Sequence, residues 1–188
     1  DDIFKINAKD MTVFTHNGSD VVQGSKYNDA IYSKGSDYIE TYSGDDAIVA
    51  KSGNSYIDAG NGNDSIVINV DDIGVDDIIL GKGDDFLRLR LKLKVDQISG
   101  GVSVHDLEEG DQFQFTGNKN KLTAKSSVSS VHFMHRNQHI GTFVGYADVI
   151  HLKLKGLLST MDLTELALLN ADKLEAFDAI TGSLSSKS

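Results

Sequence analysis

Gly44-Asp45-Asp46-Ala47-Ile48, Gly53-Asn54-Ser55-Tyr56-Ile57 and Gly62-Asn63-Asp64-Ser65-Ile66 follow one another at intervals of nine residues, and they decide the fold. Upstream stand Gly18-Ser19-Asp20-Val21-Val22, Tyr27-Asn28-Asp29-Ala30-Ile31 and Gly35-Ser36-Asp37-Tyr38-Ile39. Downstream, past an irregular stretch at 68–74, come Val75-Asp76-Asp77-Ile78-Ile79 and Gly83-Asp84-Asp85-Phe86-Leu87. The Asp-equivalent positions are 20, 29, 37, 46, 55, 64, 77 and 85, with steps of 9, 8, 9, 9, 9, 13 and 8. A Val, Ile or Leu sits two residues after every one of them.

Each part of this unit has a physical reason. Glycine admits the φ > 0 conformation of a tight turn. The Asp projects a short carboxylate at the end of that turn. A strand of about three residues follows, and its central aliphatic faces inward. One inward residue per nine cannot bury a core within one turn, but stacked turns can, as two parallel sheets face to face. Successive turns then fall on opposite edges, so loops roughly 18 residues apart lie one above the other. Carbonyls of one loop and the carboxylate of the next converge, which is the oxygen-rich, flexible cage that suits Ca²⁺. Ordinary turns in a β-rich domain would explain Asp beside Gly, but not a sustained beat of nine. A pectate-lyase-like β-helix has coils longer than this period.

The series resembles the glycine-aspartate nonapeptide of RTX proteins over residues 16–88. The resemblance implies an all-β, parallel β-roll whose cofactor is Ca²⁺, held around Gly18, Asp20, Asp29, Gly35, Asp37, Gly44, Asp46, Gly62, Asp64, Asp72, Asp77, Gly83 and Asp85. The best-formed sites are expected between loops Gly44-Asp46 and Ala59-Asp64, and between Gly24-Asp29 and Gly44-Asp46. A third pairs Gly18-Asp20 with Gly35-Asp37. Beyond the insertion, Asp64 is expected against Asp77, and the Asp72 region against Asp85. The chain departs from the family where Tyr27 and Val75 occupy glycine positions, where Ser55 replaces Asp, and where the leading Gly-Gly pair is mostly missing. Some sites are therefore expected to be weak or empty.

Composition agrees. The chain has 188 residues and a net charge of -10, which argues against nucleic acid or an anionic membrane as main partner. Of its acids 23 are Asp and 5 are Glu, whereas an acidity serving only solubility would use both. There are no cysteines, so disulfides and Cys-type zinc sites are excluded and another staple is needed. No apolar run approaches a membrane span, and no signal-peptide core stands at the N-terminus. The missing initiator Met is read as a fragment of a longer protein.

After the repeat, Leu87, Leu89, Leu91, Leu93 and Val95 alternate with Arg88, Arg90, Lys92 and Lys94, the period of a half-buried strand. Short strands are expected at 102–104, 112–115, 121–124, 128–135, 140–144 and 149–154. The stretch Asp106-Leu107-Glu108-Glu109-Gly110-Asp111-Gln112-Phe113 is similar to the segment that closes RTX rolls, so 89–156 reads as a β-rich cap on the roll of 1–88. His132, His135 and His139 do not suit zinc, because in a strand His132 and His135 face opposite sides. At 157–188 Ser159 or Thr160 and then Asn170 open helical patterns ended by Gly182, which gives a short helical C-terminus. In RTX proteins such a tail carries the type I export signal; a plain helical cap is the competing reading.

No Gly-x-Ser-x-Gly, His-Glu-x-x-His or phosphate-binding glycine loop is present, and the chain reads as a binding and folding unit, not an enzyme. The resemblance implies a secreted protein, extracellular or at the cell surface, exported by type I machinery and folded by Ca²⁺. Two parents fit: a secreted hydrolase or alginate-modifying enzyme with this chain as accessory module, or a toxin or adhesin whose terminal region meets a host-cell surface or glycan.

Overall fold

The structure, a computed structural model, describes residues 1–9, 11–70, 75–91, 101–108, 110–117, 122–126, 130–135 and 138–145. Every described element is a strand. The expected strand at 149–154, the far end of the 87–95 strand and the C-terminal helices lie outside the described residues.

Short strands alternate between two sheets, as a parallel solenoid requires. One sheet carries β1 (Ile3–Lys5), β3 (Val21–Gln23), β5 (Tyr38–Glu40), β7 (Tyr56–Asp58), β9 (Val75–Ile79) and β11 (Gly101–Leu107), each parallel to the next. The other carries β2 (Thr12–Phe14), β4 (Ala30–Ser33), β6 (Ala47–Ala50), β8 (Ser65–Val70), β10 (Phe86–Leu91) and β12 (Gln112–Gly117), again all parallel. β15 (Gln138–Gly145) extends the first sheet beside β11, and antiparallel β14 (Ser130–His135) and β13 (Leu122–Ser126) follow it.

Register follows from the inward aliphatic of each repeat. Val22, Ile39, Ile57, Ile78 and Val104 are aligned partners along one inner face. Val13, Ile31, Ile48, Ile66, Leu87 and Phe113 are aligned along the other. All belong to one buried core. Isoleucine suits these rows because a β-branched side chain is stiff at χ1 and packs well on a pleated surface. On β10, Leu87, Leu89 and Leu91 are buried as the alternation requires, while Arg88 donates to Gln114 at 3.2 Å and its guanidinium lies over the Phe86 ring. At this end the core turns aromatic, with Phe113 and Phe133 each in ring contact with Phe143 at 4.8 and 4.9 Å between centroids.

Candidate metal centre

The Asp residues form two ladders, one along each edge where the chain crosses between sheets. In each ladder a backbone N–H of one turn donates to the side chain of the next, an Asp at every step but that to Ser55. On the first edge the Asp29 amide donates to Asp46 Oδ1, that of Asp46 to Asp64 Oδ1, and that of Asp64 to Asp85 Oδ1, each at 2.7 Å. The Asp85 amide donates to Asp111 Oδ1 at 3.0 Å. On the second edge the Asp20 amide donates to Asp37 Oδ1 at 2.9 Å, Asp37 to Ser55 Oγ at 3.3 Å, and Ser55 to Asp76 Oδ1 at 2.9 Å.

Glycines let the turns close on one another. Gly62 has φ 138°, and a Cβ there would land on the Gly44 carbonyl oxygen; the same contact recurs between Gly83 and the Gly62 carbonyl. Carbonyl oxygens are thus stacked beside the first ladder. Gly18 and Gly35 hold the corresponding place on the second edge, where Ser36 donates to the Gly18 carbonyl at 2.9 Å.

The three leading loop pairs expected from the sequence are therefore adjacent: Asp46 with Asp64, Asp29 with Asp46, and Asp20 with Asp37. Past the insertion the placement differs from expectation. Asp64 meets Asp85, not Asp77. Asp77 is the aligned partner of Tyr56, is exposed, and has a carboxylate oxygen 3.0 Å from His105 Nε2; Asp76 takes the ladder position. The insertion adds three residues to the turn, so the second of two adjacent acids falls outside the ladder. Asp72 lies outside the described residues. Asp111 ends the first ladder, its Oδ2 accepting the Glu108 amide at 2.8 Å. It carries the same signal as the repeats, a buried apolar residue two positions on at Phe113. His132 Nδ1 lies 3.0 Å from Thr142 Oγ1.

The first ladder holds buried oxygens without a partner: Asp29 Oδ1, Asp46 Oδ2, Asp64 Oδ2 and Asp85 Oδ2. These side chains are 1–3 % exposed. Burial pushes the Asp46 carboxyl up to about 6 and those of Asp64 and Asp85 up to about 7. The amide each accepts pulls the other way, and neighbouring carboxylates add a further upward push. A buried unpaired carboxylate is costly, and it is relieved by a proton or by a cation. Among the described residues no three His, Cys, Asp or Glu side chains gather as a metal site. A cation here would take one carboxylate per turn and fill its shell with backbone carbonyls, a donor set of hard oxygens that fits Ca²⁺.

Fold and ladder together define a parallel β-solenoid with acid-lined edges. Set against known proteins, the chain matches no family model, no curated protein and no solved structure.

Proposed function

We propose that this chain is a calcium-binding module of the RTX kind, which folds on Ca²⁺ after export and serves as the C-terminal folding, secretion and binding region of a larger secreted protein. The observation that carries the reading is the unpartnered buried carboxylate oxygen repeated turn after turn along one edge. Asp46, Asp64 and Asp85, with carbonyls of the turns around Gly44, Gly62 and Gly83, would hold the ion. Bound there, Ca²⁺ supplies the positive charge that the buried ladder lacks.

The consequence is a folding switch. Sites of extracellular type bind at roughly 10⁻⁴ to 10⁻³ M, far above free cytosolic calcium. In the cell the ladder charges repel and are costly to bury, so the chain stays extended and exportable. Outside, at about ten times Kd, each filled site adds about 1.4 kcal/mol by mass action. Several coupled sites rival the stability of a small domain. Contact between successive turns makes the transition cooperative. Calorimetric titration of the chain with Ca²⁺, and with Mg²⁺ as control, tests the binding step. Saturable uptake of calcium and not of magnesium is the expected result; no calcium uptake at millimolar concentration would sink the proposal.

A further inference from the structure

We infer that calcium loads only the first edge, and that the second edge is a metal-independent seam closed by hydroxyl groups. The inference rests on the calcium reading above and concerns which of two similar ladders takes the ion.

The two edges satisfy their carboxylates differently. On the second edge Asp37 uses both oxygens: Oδ1 accepts the Asp20 amide, while Oδ2 accepts Thr15 Oγ1 at 2.7 Å and Ser33 Oγ at 2.6 Å. Ser55 replaces the next carboxylate with a hydroxyl, which reaches the Gly35 carbonyl at 3.3 Å. On the first edge the positions matching Thr15 and Ser33, at the ends of the preceding strands, are Gly24, Thr41, Ala59 and Leu80. Only Thr41 has a hydroxyl; it donates to the Ala59 carbonyl at 2.7 Å and pulls the Asp46 carboxyl down somewhat, but leaves Asp46 Oδ2 without a hydrogen bond. Among the described residues the unpartnered buried carboxylate oxygens all lie on this edge. The unpartnered atom on the second edge, Asn69 Oδ1, belongs to a neutral amide next to residues 71–74, outside the described residues.

The turns differ in the same sense. The first-edge turns that lead to Asp46, Asp64 and Asp85 have two left-handed residues each, Tyr42 (φ 68°) with Gly44, Gly60 (φ 90°) with Gly62, and Gly81 (φ 95°) with Gly83, while the turn that leads to Asp29 has none. The matching leading positions on the second edge are His16, Lys34 and Lys51, none with positive φ. The extra left-handed residue stacks a second carbonyl per turn, that of Tyr42 against Gly60 and that of Gly60 against Gly81, whereas the second edge stacks one, that of Gly18 against Gly35 and that of Gly35 against Gly53.

The test counts calcium ions bound by the whole chain, by equilibrium dialysis, for the parent and for Asp64→Asn, Asp37→Asn and Ser55→Asp. Asp64→Asn should lose roughly one ion per chain and move the calcium midpoint of folding upward. Asp37→Asn should bind as many ions as the parent. Ser55→Asp fills the gap in the second ladder and should add none, which keeps the test sharp if Asp37→Asn does not fold. A count lowered equally by Asp37→Asn and Asp64→Asn, or raised by Ser55→Asp, overturns the edge assignment and leaves the calcium reading standing. No calcium bound by the parent overturns both.

Discussion

At Gly62 the backbone is left-handed, and the Gly44 carbonyl oxygen fills the space a Cβ needs. An L side chain in such a conformation costs about 1–3 kcal/mol before any clash. Gly62→Ala should therefore lower the thermal midpoint in saturating calcium by at least that strain, as read by scanning calorimetry. Asp64→Asn acts differently. The amide keeps an oxygen to accept the Asp46 N–H and removes a buried charge. In chelator at pH 8 the variant should be at least as folded as the parent. Its gain from calcium should be smaller by about 1.4 kcal/mol at ten times Kd, measured by unfolding with and without the metal. The ladder Asp residues were legible because each precedes an inward aliphatic by two. Asp76 and Asp77 both satisfy that rule, through Ile78 and Ile79, so pattern alone could not choose between them. Register chose: Ile78 is fully buried, and Asp77 is turned out to solvent.

At the scale of the strand, the rows Val22–Ile39–Ile57–Ile78 and Ile31–Ile48–Ile66–Leu87 carry the packing. Ile57 is fully buried between Ile39 and Ile78 on neighbouring turns. Ile57→Ala should cost about 2–5 kcal/mol, because the cavity is walled by turns that cannot collapse into it. Val49→Ala, on the half-buried outer face of β6, should cost much less; urea unfolding in calcium compares them. These rows were legible because period and face agree at every repeat. The difference between the two edges was harder to see. It depends on Thr15 and Ser33 lying a turn apart from, or four residues before, the carboxylate they meet, and only folding brings Thr15 and Asp37 together. The parallel solenoid itself followed from the doubled period of nine.

For the molecule as a whole, the first ladder ties stability to protons as well as to metal. Asp64 and Asp85 titrate near 7 when folded, against an ordinary 3.8, because burial disfavours their charge. Between those values the folded chain binds more protons than the unfolded one. Their contribution to stability is complete below 3.8 and is lost as pH rises through about 7. In chelator the folded fraction should fall from pH 5 to pH 8. Saturating calcium should flatten or reverse that slope, since the ion binds the carboxylate form and competes with the proton. Circular dichroism across pH, with and without calcium, reads both slopes. The central claim is that calcium drives folding, and a calcium titration followed by far-UV circular dichroism at pH 7.5, with magnesium alongside, tests it most directly. The account predicts a cooperative gain of β signal as calcium approaches millimolar and none with magnesium. A full β signal in chelator, unchanged by calcium, would contradict it and leave a metal-free solenoid.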